Sequence, residues 1–337
     1  MRATRDSTSG TRLAALDFGT NTALLLVAHE TADGDLVEEY EALRTTRLGE
    51  RTDRDRMLGE AGMTRSIQAA QEFLADLPRD SRETALIAAA TSAVRDARNQ
   101  AIFLERCAHV LGRPPLVLSG DEEAQTIFTG AASDQSPTTF LLTVDIGGGS
   151  TEISLGWRDR CGYSTSLDLG CIRLSERFRL SGCADTTDLR DAREYARNVL
   201  KKVRNATRDT TAGEPSPCAI VTGGTATTWA AYARQLNAYQ RQAIHGYTGT
   251  RRNLEQSIPK LAGMTAPQRA ALPGVSKGRA PVFPAGLVIL AETLELFDCQ
   301  TFTVSTRGLR FGLLRRLQRG ELLPTVVWRK GGDPLIA

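Results

Sequence analysis

TVDIGGGSTE, residues 143–152, is the stretch from which the rest of the chain is read. The apolar run Phe140 to Ile146 that leads into it has the length and composition of a buried strand, and Ile153 to Leu155 reads as a second, short one. Asp145 stands at the end of the first strand, where a carboxylate can hold Mg²⁺ or its waters. Gly147, Gly148 and Gly149 have no Cβ, so backbone N–H groups can approach phosphate oxygens closely. The hydroxyls of Ser150 and Thr151 add donors, and Glu152 adds a second acid. A hairpin turn needs fewer glycines than this, so the pattern points to a polyphosphate-plus-metal site.

The same arrangement occurs earlier. Leu13 to Val27 reads LAALDFGTNTALLLV: an apolar strand, an acid, a Gly-polar turn and an apolar return strand. Asp17 corresponds to Asp145, Gly19 to Gly147 and Thr22 to Ser150. Two such turns predict a duplicated unit, with two related domains each offering a phosphate loop to a shared cleft. Gly19, Thr20 and Asn21 are then the first domain's phosphate-binding residues, and Gly147, Gly148, Gly149, Ser150 and Thr151 the second's. Gly223-Gly224-Thr225, between the strand Cys218 to Thr222 and a helix Ala226 to Gln235, reads as a third anion site, because a helix N-terminus presents free N–H groups and a positive dipole end.

These residues resemble the ASKHA superfamily of actin-like ATPases. More narrowly, the blocks AATSAVRDA (Ala89 to Ala97), LSGDEEA (Leu118 to Ala124), VDIGGGSTE (Val144 to Glu152), LDLGCIRLSERF (Leu167 to Phe178), GGTATT (Gly223 to Thr228) and PAGLVIL (Pro284 to Leu290) resemble the exopolyphosphatase/guanosine pentaphosphatase family, in order and over nearly the whole chain. The resemblance implies an α/β fold of two actin-like (ribonuclease H-like) domains with a cleft between them. It implies release of the terminal phosphate from inorganic polyphosphate, or of the 5′ γ-phosphate from guanosine pentaphosphate, with Mg²⁺, or alternatively Mn²⁺, as cofactor. Asp145 and Glu152 match the family's metal and catalytic acids, Asp17 joins them as a metal ligand, and Arg95 matches its arginine motif. A non-hydrolysing sensor of polyphosphate or an alarmone, and an ASKHA kinase for a small acceptor, are the rival readings. Three departures stand out: Thr306 and Phe311 replace acids of the family's SDRGLREG, and Pro281 replaces the Asp of RADVIPAG. They are expected to lie away from the phosphate loops and to affect substrate range or subunit contacts. The chain also lacks the C-terminal extension of longer relatives, from which weak processivity is expected.

Composition fits this reading. The chain has 337 residues, 41% hydrophobic and 24% charged, which accommodates two ordinary domains. A net charge of +3 does not argue for a nucleic-acid partner. Six scattered cysteines without a CxxC pair, and three well-separated histidines, argue against a zinc site or a disulfide framework. No apolar run reaches the length of a membrane span and the N-terminus has no apolar signal region, so the expected location is the cytoplasm. A homodimer is left open.

Domain boundaries are expected at 120/121 and 306/307: residues 12–120 with 307–337 form the first domain, 121–306 the second, and 1–11 a disordered start. Thr84 to Ala90 is a strand that delivers Thr91, Ser92 and Arg95 to a strand-to-helix turn. There Arg95 would sit in a helix's first turn, against the dipole, and its guanidinium fork suits phosphate. Within the helix Asp121 to Ala132, the residues Ala124, Ile127, Phe128 and Ala131 form the inward face. At about 100° per residue, Glu123 borders that face while Glu122 points away. Glu123 is therefore the expected general base, with a pKa raised by partial desolvation. In the helix Asp188 to Arg204 a stripe of Arg190, Arg193, Arg197, Lys201 and Arg204 reads as a solvated face, or else as a basic track for a long anionic chain. His245 reads as structural, and the tail from Arg319 as loose.

Overall fold

The computed structural model describes residues 11–50, 52–77, 83–328 and 334–335; the expected disordered start, apart from residue 11, lies outside them. In chain order the strands are β1 (Arg12–Phe18), β2 (Thr22–Glu30), β3 (Leu36–Thr45), β4 (Thr84–Ala90), β5 (Leu116–Val117), β6 (Phe140–Ile146), β7 (Thr151–Trp157), β8 (Arg160–Leu167), β9 (Cys218–Thr222), β10 (Thr248–Thr250), β11 (Thr301–Val304), β12 (Val326–Trp328) and β13 (Pro334–Leu335). They form two sheets, β13-β12-β4-β1-β2-β3 with β5 beside β4, and β10-β11-β9-β6-β7-β8. The chain divides into one unit that runs to Ser119 and resumes at Leu309, and a second spanning Gly120–Gly308.

The two sheets repeat one topology. In the first unit β1 pairs antiparallel with β2, β2 with β3, and β4 lies parallel to β1. In the second, β6 pairs antiparallel with β7, β7 with β8, and β9 lies parallel to β6. The matched turns close alike: Gly19 N–H donates to Thr22 O at 3.0 Å, and Gly147 N–H to Ser150 O at 2.9 Å. The strands β1 and β4 are buried along their whole length, which is why they read as unbroken apolar runs rather than as alternation. In the first unit the Leu309–Gln318 helix packs on β1 and β2. The tail expected to be loose instead contributes β12, antiparallel to β4 in register Val326↔Leu86.

The second unit is built around the Phe283–Leu296 helix, buried on every side from Phe283 to Leu294. A helix apolar all round belongs in a core, and Pro284 in its first turn is compatible with the start of a helix. One acid interrupts it. Glu292, 2% exposed, receives Arg193 and Arg197 from the Thr186–Ala206 helix, and Arg193 also pairs with Glu255. Burial raises the Glu292 pKa against the pull of Arg197 and Arg193. The stripe on the Thr186–Ala206 helix is therefore not a simple solvated face: Arg193 and Arg197 are turned toward a buried carboxylate, and Arg190 pairs with its neighbour Asp191.

A second buried cation stitches the loops of this unit. The Arg269 side chain, fully buried, donates to the carbonyls of Leu180, Ser181, Gly182, Leu261, Met264 and Ala280. Burial presses its pKa below the ordinary guanidinium value.

Candidate active site

Glu123, Asp145 and Glu152 gather in the second unit. Asp145 is the penultimate residue of β6, β7 begins at Thr151, and antiparallel pairing sets Asp145 directly opposite Glu152. Glu123 comes from the Gly120–Ala131 helix, which packs on β7 and β8. Its burial follows the helical spacing: Glu123 is 5% exposed, whereas Glu122 is exposed. Ser154 Oγ donates to Ala124 O at 3.3 Å and so ties this helix to β7 one residue from Glu123.

The carboxylates are held by hydroxyls. Thr222, the residue before the Gly223–Ala233 helix, donates its Oγ1 to Asp145 Oδ2 at 2.6 Å. Ser166 Oγ on β8 donates to Glu152 Oε1 at 2.7 Å. Burial, and then repulsion from the Glu123 and Asp145 carboxylates, raises the Glu152 pKa well above the ordinary carboxyl range despite the bonds from Ser166 and Ser150. Three acids within electrostatic reach of one another create a demand for positive charge or for a shared proton.

The glycine turn is buttressed by backbone. Cys171 N–H donates to Gly147 O and Ile172 N–H to Gly148 O, both at 2.9 Å, and a Cβ on Gly170 would overlap the Gly148 carbonyl. The Thr151 hydroxyl donates to Leu169 O, so Thr151 holds the turn's frame. Closing the turn uses the Gly147 N–H, which leaves those of Gly148 and Gly149 out of the closure. Gly223 and Gly224 are not a loop before a helix, as the sequence suggests, but its first turn. Gly223 enters at φ +79°, and a Cβ there would overlap the Asp145 carboxylate, so glycine is required on both counts. Thr225 is buried in that helix.

Several residues that sequence reasoning missed complete this region. The guanidinium of Arg279 lies against the Gly224 Cα, where a Cβ would overlap it, and its charge also reaches Cys171 behind the glycine turn. It therefore brings a cation between the 147–150 turn and the 223–225 turn. Ser166 packs on the start of the Gly120–Ala131 helix, where a Cβ on Gly120 would stand 2.7 Å from its own Cβ. Gly308 approaches Asp145 as well: a Cβ there would lie 3.4 Å from Oδ2.

The remaining candidates belong to the first unit. Asp17, 8% exposed, is the penultimate residue of β1, and Gly19, Thr20 and Asn21 form the turn into β2. Thr20 Oγ1 lies 3.0 Å from Ser92 Oγ, and Asn21 O accepts from the N–H groups of Thr46 and Arg47. Arg95 does not sit in the first turn of a long helix. It ends the single-turn helix Ser92–Arg95 and donates from Nη1 to Leu118 O at 3.0 Å. The argument from an opposed dipole therefore falls away.

Two of the three departures adjoin residues of this region in the chain. Pro281 follows Arg279 by two residues, and its carbonyl accepts from Ser175 at 3.2 Å. Thr306 precedes Gly308 by two. Phe311 is a fully buried core residue of the first unit, beneath Arg315.

Among the described residues no three His, Cys, Asp or Glu side chains converge as a metal cage. Magnesium needs none, since it is usually bound through one or two carboxylates, waters and substrate phosphates. Asp145, oriented by Thr222, and Glu152, whose pKa is raised first by burial and then by the neighbouring carboxylates, suit that role.

A family model described as the Ppx/GppA phosphatase family matches residues 27–320. The chain is 34% identical over 291 residues to exopolyphosphatase 2 of Mycobacterium tuberculosis, covering 84% of this chain and 89% of that one. It is 30% identical over 304 residues to guanosine-5'-triphosphate,3'-diphosphate pyrophosphatase of Vibrio atlanticus, covering 89% of this chain and 58% of that longer protein. Among solved structures, the Aquifex aeolicus Ppx/GppA family member superposes with a TM-score of 0.77 at 27% identity, over 93% of this chain and 99% of that one. An exopolyphosphatase-like protein superposes with a TM-score of 0.82 at 27% identity, over 93% and 99% of the two chains.

Proposed function

From the premise that this chain belongs to the Ppx/GppA phosphatase family and is a phosphohydrolase, we propose that it releases the terminal phosphate of inorganic polyphosphate or the 5′ γ-phosphate of guanosine pentaphosphate. The observation that carries this reading is the meeting of Glu123, Asp145 and Glu152 beside the Gly147–Ser150 turn.

In this reading the N–H groups of Gly148 and Gly149 bind the terminal phosphoryl oxygens, and Arg279 neutralises the neighbouring phosphate. Glu123 accepts a proton from the attacking water, whose oxygen bonds to the terminal phosphorus as the bridging P–O bond breaks. The electron pair leaves with the shortened chain or the nucleoside diphosphate end. Mg²⁺, held by Asp145 and Glu152, would supply neutralisation of phosphate charge. Thr222 and Ser166 fix the two carboxylates so that they need not reorganise during the reaction.

The test is to incubate pure protein with Mg²⁺ and either polyphosphate or guanosine pentaphosphate and to follow inorganic phosphate. Release of phosphate, abolished by EDTA and by Glu123→Gln, is expected. Binding of both substrates without turnover would overturn the reading in favour of a sensor.

A further inference from the structure

A second polar cluster lies in the same unit, outside the acid group. His245 follows the short Arg241–Ile244 helix. Its Nε2 lies 2.9 Å from Asp134 Oδ2, and its Nδ1 lies 3.3 Å from the Thr306 backbone N and 3.3 Å from Thr306 Oγ1. Arg307 approaches the same Asp134 oxygen at 3.5 Å. The charged groups around the ring are thus Asp134, beyond the helix that carries Glu123, Arg307 on the segment after β11, and Arg241 one turn back on its own helix. Burial would raise the Asp134 carboxyl, but the bonds from His245 and Gln135 and the Arg307 charge outweigh it and hold the pKa below its ordinary value.

The backbone donors around Thr306 show what the ring does. Val304 N–H donates to Tyr247 O and Ser305 N–H to Val221 O. Arg307 N–H donates to Ser305 Oγ. These acceptors cannot titrate near neutrality. Thr306 N–H alone in this run of four is held by an imidazole nitrogen, which accepts only while unprotonated. The bond to Asp134 requires the proton on Nε2, so the geometry selects the neutral Nε2–H tautomer. A proton on Nδ1 turns that acceptor into a donor facing an N–H. The Thr306 hydroxyl, already 3.3 Å from Nδ1, can then accept from it, while the Thr306 N–H loses its acceptor. Two residues on, Gly308 faces Asp145 and Thr222 across a gap that one methyl would fill: a Cβ there would stand 3.4 Å from Asp145 Oδ2 and 3.5 Å from Thr222 Oγ1.

We propose that His245 is a positioning residue: its neutral ring clamps the Thr306–Gly308 segment against Asp145, and its protonation releases that segment. The inference rests on the reading of Asp145 as a site residue, but its structural half can be tested without turnover.

Three histidines in the chain make the ring resonances assignable by mutation. In wild type, the Thr306 and Gly308 amide resonances are expected to shift in step with the His245 ring resonances as pH is lowered. His245→Asn places an amide oxygen near the Nδ1 position and cannot protonate, so both amides should lose that response. His245→Gln keeps a donor for Asp134 but loses the acceptor for Thr306. It should lower kcat about fivefold on the alkaline side, where the wild-type ring is neutral, and converge on wild type in acid, with KM little changed, the effect expected from one lost hydrogen bond. The acid limb of the wild-type kcat profile should flatten in His245→Asn. Gly308 amide shifts that ignore His245, or that still titrate in His245→Asn, would overturn the inference, as would an acid limb unchanged in that variant.

Discussion

Replacing Arg269 by methionine keeps most of the side chain's length and removes five N–H donors. Of the six carbonyls it serves, those of Leu180, Leu261 and Ala280 are bonded in fully buried surroundings, while those of Ser181, Gly182 and Met264 lie nearer solvent and can recruit water. Leu261 O keeps the Met264 N–H at 3.3 Å, so the buried carbonyls of Leu180 and Ala280 are the two that lose a partner, at about 1–3 kcal/mol each, and the guanidinium's own burial penalty, relieved on its removal, offsets part of the sum. A net loss of about 3 kcal/mol follows. For a unit spanning Gly120–Gly308 that corresponds to a fall of about 9 °C in its melting transition. Arg269→Lys keeps the charge but gathers its donors at one point, so it should recover less than half of the loss. Thermal unfolding followed by circular dichroism checks both variants. Because Ala280 is bonded to Arg269 and adjoins Arg279, the methionine variant should also raise KM for polyphosphate before it melts. A methionine variant melting within about 2 °C of wild type would refute the reasoning, since six carbonyls would then be satisfied without the cation.

Other expectations concern the acids and the helix stripe. Glu123→Gln should lower kcat roughly 10²–10⁴-fold with folding intact, and Glu122→Gln little, as phosphate-release kinetics will show. Glu152 has a folded-state pKa above its unfolded value, so the folded state binds the extra proton. That contribution is complete below the unfolded pKa and disappears as pH rises through the folded one. Glu152→Gln should therefore unfold at higher urea than wild type at neutral pH, with a flatter pH dependence, while hydrolysis is lost. Gly223→Ala, which demands a left-handed backbone and collides with Asp145, should cost about 1–2 kcal/mol and most of the turnover. Arg193→Glu should destabilise the second unit by about 3–5 kcal/mol in chemical denaturation, by leaving Glu292 and Glu255 facing a third carboxylate.

Much of this architecture is legible in the sequence because it is local. The strand, acid, turn and return strand repeat within short windows, and both turns close with the same Gly-to-third-residue bond. Helical spacing alone separates buried Glu123 from exposed Glu122. What stays hidden comes from distant parts of the chain. Spacing aligns Arg193 with Arg197 but cannot reveal Glu292, which arrives from a helix roughly a hundred residues later. Ser166 and Gly308 reach the acids, and Arg279 reaches Gly224, through tertiary packing, and they carry no local signature. The strand β12 is three residues long, too short for periodicity, and forms because β4 offers it an edge. Thr306 and Pro281 look peripheral until folding places their neighbours, Gly308 and Arg279, beside Asp145 and Gly224.

The backing of the 147–150 turn has a consequence for how such a protein can diverge. Its shape is set by main chain against main chain, with Gly170 pressed on Gly148 and the amides of Cys171 and Ile172 on the turn's carbonyls. No exchange of side chains in the turn can retune it without breaking it, so this part of the molecule offers evolution no gradual path. Drift in preference has to pass through the surrounding side chains, Arg279 among them, which can change one at a time while the cradle remains. A lineage containing one relative named for a linear inorganic polymer and another for a guanine nucleotide is what such a frozen centre with a mutable margin would produce.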